Sequence, residues 1–253
     1  MLTTLVRSAA AIAAFAACLC AQSPVFTEDF ESGKIDPAKW EVRAKGAPTM
    51  NVEEAEGAHG KYALHIHYPD MERGAYSFIV ATHLPDSVRT HYFGRAYMKI
   101  GALSQPSHNP LIFTGEPGWP ISKFLEIGTS RGDWMPSYQE NKSPAGQGRG
   151  EITDRSDTAP PIGKWFLLEW EFNDNPTSIK MWVDGQPMMT FMNTDKERKT
   201  PVDQVTFDWK GASSNLTGGF AEWGFGMRAW QNPTPAMDIW YDDIAVSTSR
   251  IGK

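Results

Sequence analysis

A sandwich of two antiparallel β-sheets is the fold class this sequence predicts, and three observations predict it. Short runs rich in aromatic and branched residues recur along the chain, separated by clusters of Gly, Pro, Asn and Asp. Helix signals are nearly absent. Residues 22–253 show no internal repeat and no low-complexity linker, and their roughly 230 positions are enough for one core and usual for a single all-β domain.

The elements follow in order. Residues 1–21, "MLTTLVRSAAAIAAFAACLCA", carry Arg7, an Ala-rich apolar run and a small-residue exit. This is the pattern of a secretory signal peptide cleaved after Ala21; a lipoprotein anchor at Cys18 is the alternative. Strands are expected at 25–30, 40–44, 63–68, 75–81, 92–100, 111–114, 124–128, 165–172, 178–183, 188–191, 204–208, 221–230 and 237–246. Asp36-Pro37-Ala38-Lys39 allows one helical turn. Asp184-Gly185 is a two-residue hairpin turn that needs positive φ. Most of 129–163 shows no strand pattern. A segment of that length is often functional, and this one holds Asp133, Trp134, Tyr138, Gln139, Lys142 and Arg149.

Composition excludes several function classes. The net charge is −6 and no Lys/Arg-rich run appears, so nucleic acid and anionic membrane are poor partners. No second apolar run reaches the ~20 residues of a membrane-spanning helix. Both cysteines, Cys18 and Cys20, lie in the leader. The exported chain, secreted or periplasmic and expected to be a monomer, must therefore be held by its core or by a metal rather than by disulfides. Ten tryptophans exceed what such a core needs, and two or three are expected at the surface, where indoles stack on the C–H faces of sugar rings.

Strand periodicity sorts side chains onto faces. In "FLEIG", Leu125 and Ile127 point to the core, and Phe124, Glu126 and Gly128 to the other face. In "AEWGFGMRAW", Trp223, Phe225, Met227 and Ala229 point inward. Glu222, Gly224, Gly226, Arg228 and Trp230 share the opposite face, with the glycines leaving room for a ligand. Glu126, Arg228 and Trp230, with His108 and Tyr138, form the candidate groove; a purely structural Glu126–Arg228 ion pair is the plainer alternative. His65 and His67 share a strand face with no third metal ligand in view.

A second constellation is acidic. Asp29 and Glu31 lie near the mature start, Asp242 and Asp243 near the end. Carboxylates brought together from both ends repel. Ca²⁺, which takes about six to eight oxygens, would relieve that, with carbonyls of the turn from Ala58 to Lys61 completing the shell; two separate solvated acid pairs are the alternative. The paired acids of a glycoside hydrolase are missing, because Glu126 is followed by Ile-Gly-Thr-Ser-Arg. No nucleophile elbow, phosphate loop or zinc-protease helix motif occurs either.

The segments "TEDFESG", "HYFGRAYMKI", "HNPLIF", "KFLEIG", "IKMWVDGQPM", "GFGMRAW" and "WYDDIAVSTSRIG" run in the order found in the cellulose-induced (Cip-one) jelly-roll proteins, relatives of glucuronan lyases, which this chain resembles over most of residues 22–253. The resemblance implies a concanavalin-like β-jelly roll, and a structural Ca²⁺ held by Asp29, Glu31 and Asp243 with main-chain oxygens near Ala58 and Lys61. It also implies a polysaccharide partner and either β-elimination on a uronate polymer or non-catalytic glycan binding. The family's "FLEIG" strand carries His and Arg on the groove face, where this chain has Phe124 and Glu126. The family's facing strand has an acid where this chain has Arg228. A lyase needs a cation for the substrate carboxylate and a base for the C5 proton. Arg228 is the candidate cation, Tyr138 or His108 the candidate base, and Trp230, Trp134, Gln139 and Glu222 are candidate substrate contacts.

Overall fold

The computed structural model describes residues 23–252 except 104–106, 141–149, 189–190, 194–202, 208–215, 217 and 233–234; the side chains of 150–155 and 192–193 are likewise outside it. The signal peptide expected at 1–21, with Cys18, and the loop residues Lys142 and Arg149 lie outside the described residues.

The strands are β1 (Phe26–Glu28), β2 (Glu41–Lys45), β3 (Thr49–Glu54), β4 (Tyr62–Tyr68), β5 (Tyr76–Ala81), β6 (His91–Ile100), β7 (His108–Gly115), β8 (Lys123–Ser130) and β9 (Asp133–Glu140). They continue with β10 (Gly150–Arg155), β11 (Trp165–Asp174), β12 (Thr177–Val183), β13 (Gln186–Pro187), β14 (Met192–Asn193), β15 (Val205–Thr206), β16 (Glu222–Arg228) and β17 (Met237–Ser247). One 3₁₀ turn, Asp86–Val88, is the only helical element among the described residues, and no described helix is long and apolar enough to cross a membrane.

Two antiparallel sheets pack face to face. The first is 9-stranded, in the order β13-β12-β11-β6-β17-β4-β3, with β1 beside β17 and β15 beside β12. The second is 8-stranded, in the order β14-β10-β9-β8-β7-β16-β5-β2. Neighbours distant in sequence interleave in both, as in a jelly roll. The core lies between the sheets and is strongly aromatic. Trp170 of β11, Phe225 of β16, Tyr241 of β17 and Tyr92 of β6 are all fully buried there, and Trp170 and Phe225 meet at 5.9 Å between centroids. Gly94 on β6 sits opposite Trp170, and a Cβ there would overlap the indole. Tyr241 donates its hydroxyl to the Leu111 and Gly226 carbonyls at 3.0 and 2.7 Å, joining the sheets through a buried polar group that is satisfied.

Most expected strands appear with small shifts at their ends. Three, β3, β9 and β10, were not expected. Residues 189–190 of the strand expected at 188–191 lie outside the described residues, and the short strands β13 and β14 lie on either side of it. The Asp184-Gly185 hairpin turn is present, with φ of 52° and 81°. The segment read as a loop after 129 begins with a second such turn, Arg131-Gly132, at φ 55° and 90°. That turn folds β9 back along β8 in continuous register from Ser130–Asp133 to Lys123–Glu140.

Candidate functional site

The outer face of the 8-stranded sheet carries a cleft of about 510 Å³, lined by Phe78, Pro110, Phe113, Trp119, Pro120, Ile121, Phe124, Glu126, Arg228 and Trp230. Its floor is a small apolar cluster separate from the main core: Phe78, Val80, Phe113 and Ile121, with Tyr76 and Phe124 packed against it. Alternation puts these residues there. Leu125 and Ile127 of β8 enter the inter-sheet core while Glu126 faces the cleft, and Trp223, Phe225, Met227 and Ala229 of β16 enter the core while Arg228 faces the cleft. Both assignments follow the strand parity of the sequence.

The two glycines of β16 have a different purpose from the one expected. A Cβ at Gly224 would overlap the Phe113 ring, and one at Gly226 would overlap the Ser77 carbonyl and the Phe78 ring. The glycines admit aromatic rings that build the floor; they do not leave open space above the sheet. Gly224→Val is therefore expected to displace Phe113 and to destabilise the domain by ~1–3 kcal/mol, as overpacking usually does. At ~2–4 °C per kcal/mol for a domain of this size, calorimetry should show a drop of several degrees.

Glu126 is 1% exposed. Its Oε1 accepts from Ser137 Oγ at 2.7 Å and Gln139 Nε2 at 3.0 Å, and His108 Nε2 lies 2.9 Å from the same oxygen. Ser137 stands directly across from Glu126 on β9, and Gln139 two residues on, on the same face. His108 arrives from β7 because that strand has a register shift between Pro110 and Ile112. Simple alternation would place His108 and Phe113 on opposite faces; the bulge at Leu111 puts both on the outer face of the sheet. Gly128 lets the bulged strand come close, since a Cβ there would overlap the Asn109 carbonyl. The His108 backbone is fixed to the next segment, with its N–H donating to Gln231 Oε1 at 2.6 Å and its carbonyl accepting from Trp230 N at 3.1 Å.

Arg228 does not pair with Glu126 as expected; His108, Ser137 and Gln139 take that place. The Arg228 guanidinium instead lies over the Trp230 ring, 3.4 Å from its centroid, and 5.7 Å from that of Tyr76. It makes no hydrogen bond and no ion pair among the described residues, and neither its Nε nor Trp230 Nε1 has an acceptor there. Burial pulls its pKa below the ordinary arginine value, and the charge of Glu126 pulls it back up. Half-buried cations are ordinarily paired.

The other candidates are placed as follows. Tyr138 is buried in the inter-sheet core, on the parity of Leu125, with its ring 6.4 Å from Phe207, so it does not face the cleft. Trp134 is likewise in the core, edge-on to Phe166 at 6.1 Å, and offers no sugar platform. Gln139 is on the cleft side but buried and spent on Glu126. Glu222 is buried and paired with Arg43 at 2.5 Å; it also accepts from Gly118 N at 3.0 Å, which makes it a brace for the 116–122 loop rather than a second acid beside Glu126. The residue that periodicity could not find is Trp119. It sits on that loop, lines the cleft and is 42% exposed, whereas Trp165, Trp182, Trp230 and Trp240 are half-buried. A Trp-Pro pair in a Gly/Pro cluster reads only as a turn.

At the other end of the sandwich, both ends of the chain meet the turn before β4. Glu31 Oε1 accepts from Lys61 N and Tyr62 N at 2.7 and 2.9 Å. Asp242 accepts from His59 N at 2.9 Å, and Asp243 Oδ2 contacts His59 Nδ1 at 2.9 Å. Asp29 Oδ1 caps Glu31 N at 3.1 Å. Ala58 N is bonded to the Ala55 carbonyl. Burial, with Asp243 alongside, pushes the Asp242 carboxyl up to about 6. Hard oxygen donors with no Lys or Arg partner suit a calcium ion. Among the described residues, however, no three His, Cys, Asp or Glu side chains converge closely enough to hold a metal by themselves, so carbonyls of the turn would have to supply part of any shell.

No known family profile matches this sequence, and no curated protein matches it. Solved structures do. The chain is similar to the cellulose-induced protein Cip1, with TM-score 0.66 and 18% identity over 90% of this chain and 99% of that one. It is similar to an endo-β-1,4-glucuronan lyase from the fungus Trichoderma reesei, with TM-score 0.62 and 16% identity over 90% of this chain and 96% of that one. A more distant likeness is to the binding domain of botulinum neurotoxin serotype C1, with TM-score 0.50 and 10% identity over 83% of this chain and 44% of that one. Over 90% of its length, then, the chain has the jelly-roll sandwich fold of Cip1 and the fungal glucuronan lyase.

Proposed function

We propose that this chain is an exported carbohydrate-active protein that binds a uronate-containing polysaccharide in the cleft and cleaves it by β-elimination. The observation that carries the reading is the half-buried Arg228 guanidinium, without an anionic partner among the described residues, in an aromatic cleft beside His108 and Glu126. A half-buried cation with no hydrogen-bonded counter-ion among the described residues favours a ligand that brings one, and a sugar carboxylate does so while the aromatic walls take the ring's C–H faces. Ser137, Gln139 and His108 all converge on one oxygen of Glu126, its Oε1.

The chemistry then divides among three side chains. Arg228 neutralises the substrate carboxylate and stabilises the charge that develops on it when C5 loses its proton. His108 takes that proton as general base. Glu126, whose Oε1 lies 2.9 Å from His108 Nε2, is a positioning residue that orients the imidazole and stabilises its protonated form. The C5–H electrons form the C4–C5 double bond, the C4–O bond breaks, and the departing oxygen takes a proton. No water is consumed.

The test is a panel of glucuronan, alginate, polygalacturonate and cellulose, read as absorbance of unsaturated uronides in the near ultraviolet. The reading predicts an increase on at least one uronate polymer and none on cellulose. Absence of signal on every uronate polymer, with retention of the protein on insoluble glycan, would replace elimination by glycan binding without chemistry.

We also propose a structural Ca²⁺ between Asp29, Glu31, Asp243 and carbonyls near Ala58 and Lys61, supported by the meeting of both chain ends at that turn. An ion bound only by the native state stabilises it by mass action. Chelator should lower the melting temperature by on the order of 5–10 °C, and added Ca²⁺ but not Mg²⁺ should restore it. An unchanged melting temperature would remove the ion.

A further inference from the structure

The 116–122 loop is fastened to the sheet far more firmly than a surface loop needs. Half-buried Arg43 of β2 and buried Glu222 of β16 form a salt bridge at 2.5 Å, with Glu41 2.9 Å from the same guanidinium, and Glu222 also accepts from Gly118 N at 3.0 Å. Glu116 is bonded to Ser122 across the base of the loop, and its N–H donates to the Lys123 carbonyl at 3.0 Å. These contacts present one side chain, Trp119. The Arg43 guanidinium lies 4.9 Å from its ring centroid, Tyr76 meets it at 5.6 Å and Phe113 at 6.1 Å. The rest of the indole is exposed and lines the cleft. A buried ion pair spent on holding an exposed tryptophan rigid has no value to the core. It does have value to a ligand, because a pre-oriented ring loses little entropy on binding.

We infer that Trp119 is a stacking platform for one pyranose ring of a polymeric ligand, a subsite separate from the position where Arg228 meets a carboxylate, and that the Arg43–Glu222 pair is its brace. This rests on the carbohydrate reading above. Tyr76 touches both ends, 5.6 Å from Trp119 and 5.7 Å from Arg228, so the two positions lie within the span of a short oligosaccharide. Recognition at Trp119 is by the C–H face of the ring, and it is indifferent to whether that residue carries a carboxylate. The cleft therefore selects for chain length at Trp119 and for charge at Arg228. Arg43 and Glu222 touch no ligand in this scheme and are positioning residues.

Titration calorimetry with glucuronan hexasaccharide and with free glucuronate separates the two subsites. Trp119→Ala should weaken hexasaccharide binding about tenfold or more, as truncating an aromatic anchor does, and leave glucuronate binding unchanged. Trp119→Phe should restore most of the loss. Arg43→Met should weaken the hexasaccharide similarly, and Arg43→Met with Trp119→Ala should be no worse than Trp119→Ala alone, a non-additivity that general loosening of the fold would not produce. If Trp119→Ala binds the hexasaccharide like the wild type while Arg228→Met loses it, the platform is overturned and the carbohydrate reading stands. If the wild type binds neither probe nor cellohexaose, both fall.

Discussion

His108→Ala is expected to lower the rate of elimination by ~10²–10⁴, the usual contribution of a general base, with a smaller effect on KM. The same change removes the imidazole that lies 2.9 Å from a carboxylate that is 1% exposed. Leaving a buried charge short of a partner costs ~1–3 kcal/mol or more, so the melting temperature should fall as well. His108→Gln separates the two effects. An amide keeps a polar group beside Glu126 Oε1 but takes no proton, so this variant should melt near the wild type and remain inactive. Initial rates of ultraviolet absorbance beside a thermal melt decide the matter. A His108→Gln enzyme with wild-type rates would show that the base lies elsewhere.

Arg228→Met should act in the opposite sense on stability. Methionine keeps an unbranched apolar stem against Trp230, and removes a half-buried guanidinium that has no hydrogen-bond or ion-pair partner among the described residues. The desolvation that lowers its pKa is relieved, while a cation–π contact of ~0.5–2 kcal/mol is lost. The melting temperature should stay within a few degrees of the wild type or rise. Activity should not survive: kcat/KM on a uronate polymer should fall by ~10²–10³, as when one preorganised electrostatic contact is removed from a transition state. A variant less stable than the wild type and still active would mean that Arg228 is an ordinary structural cation.

Much of this site is legible in alternation. Leu125 and Ile127 against Glu126, and the inward Trp223, Phe225 and Met227 against Arg228, are two strands read correctly from period two. The errors have physical causes. β9 is buried on both faces, so it shows no apolar–polar alternation, and its central Pro136 argues against a strand. Read as loop residues, Trp134 and Tyr138 look like functional decoration; paired in register with β8 they become core. The bulge at Leu111 is invisible in "HNPLIF", because a register shift depends on the partner strand rather than on local composition. Without it His108 cannot be assigned a face. Gly224 and Gly226 were seen as space, since a sequence does not say which side chain fills the gap. Matching Glu126 with Arg228 assumes that their strands are neighbours, whereas β7 lies between β8 and β16 and brings His108 to the carboxylate instead.

Everything proposed for the cleft turns on the Arg228 guanidinium, without an ion-pair partner among the described residues, selecting a carboxylate on a sugar polymer. It is tested most directly by titrating the wild type and Arg228→Met with glucuronan hexasaccharide and with cellohexaose at low and at high salt. Binding of the uronate oligomer alone, weakened by salt and lost in Arg228→Met, is the outcome the geometry requires. Equal binding of both oligomers, unaltered by salt and by Arg228→Met, would contradict it.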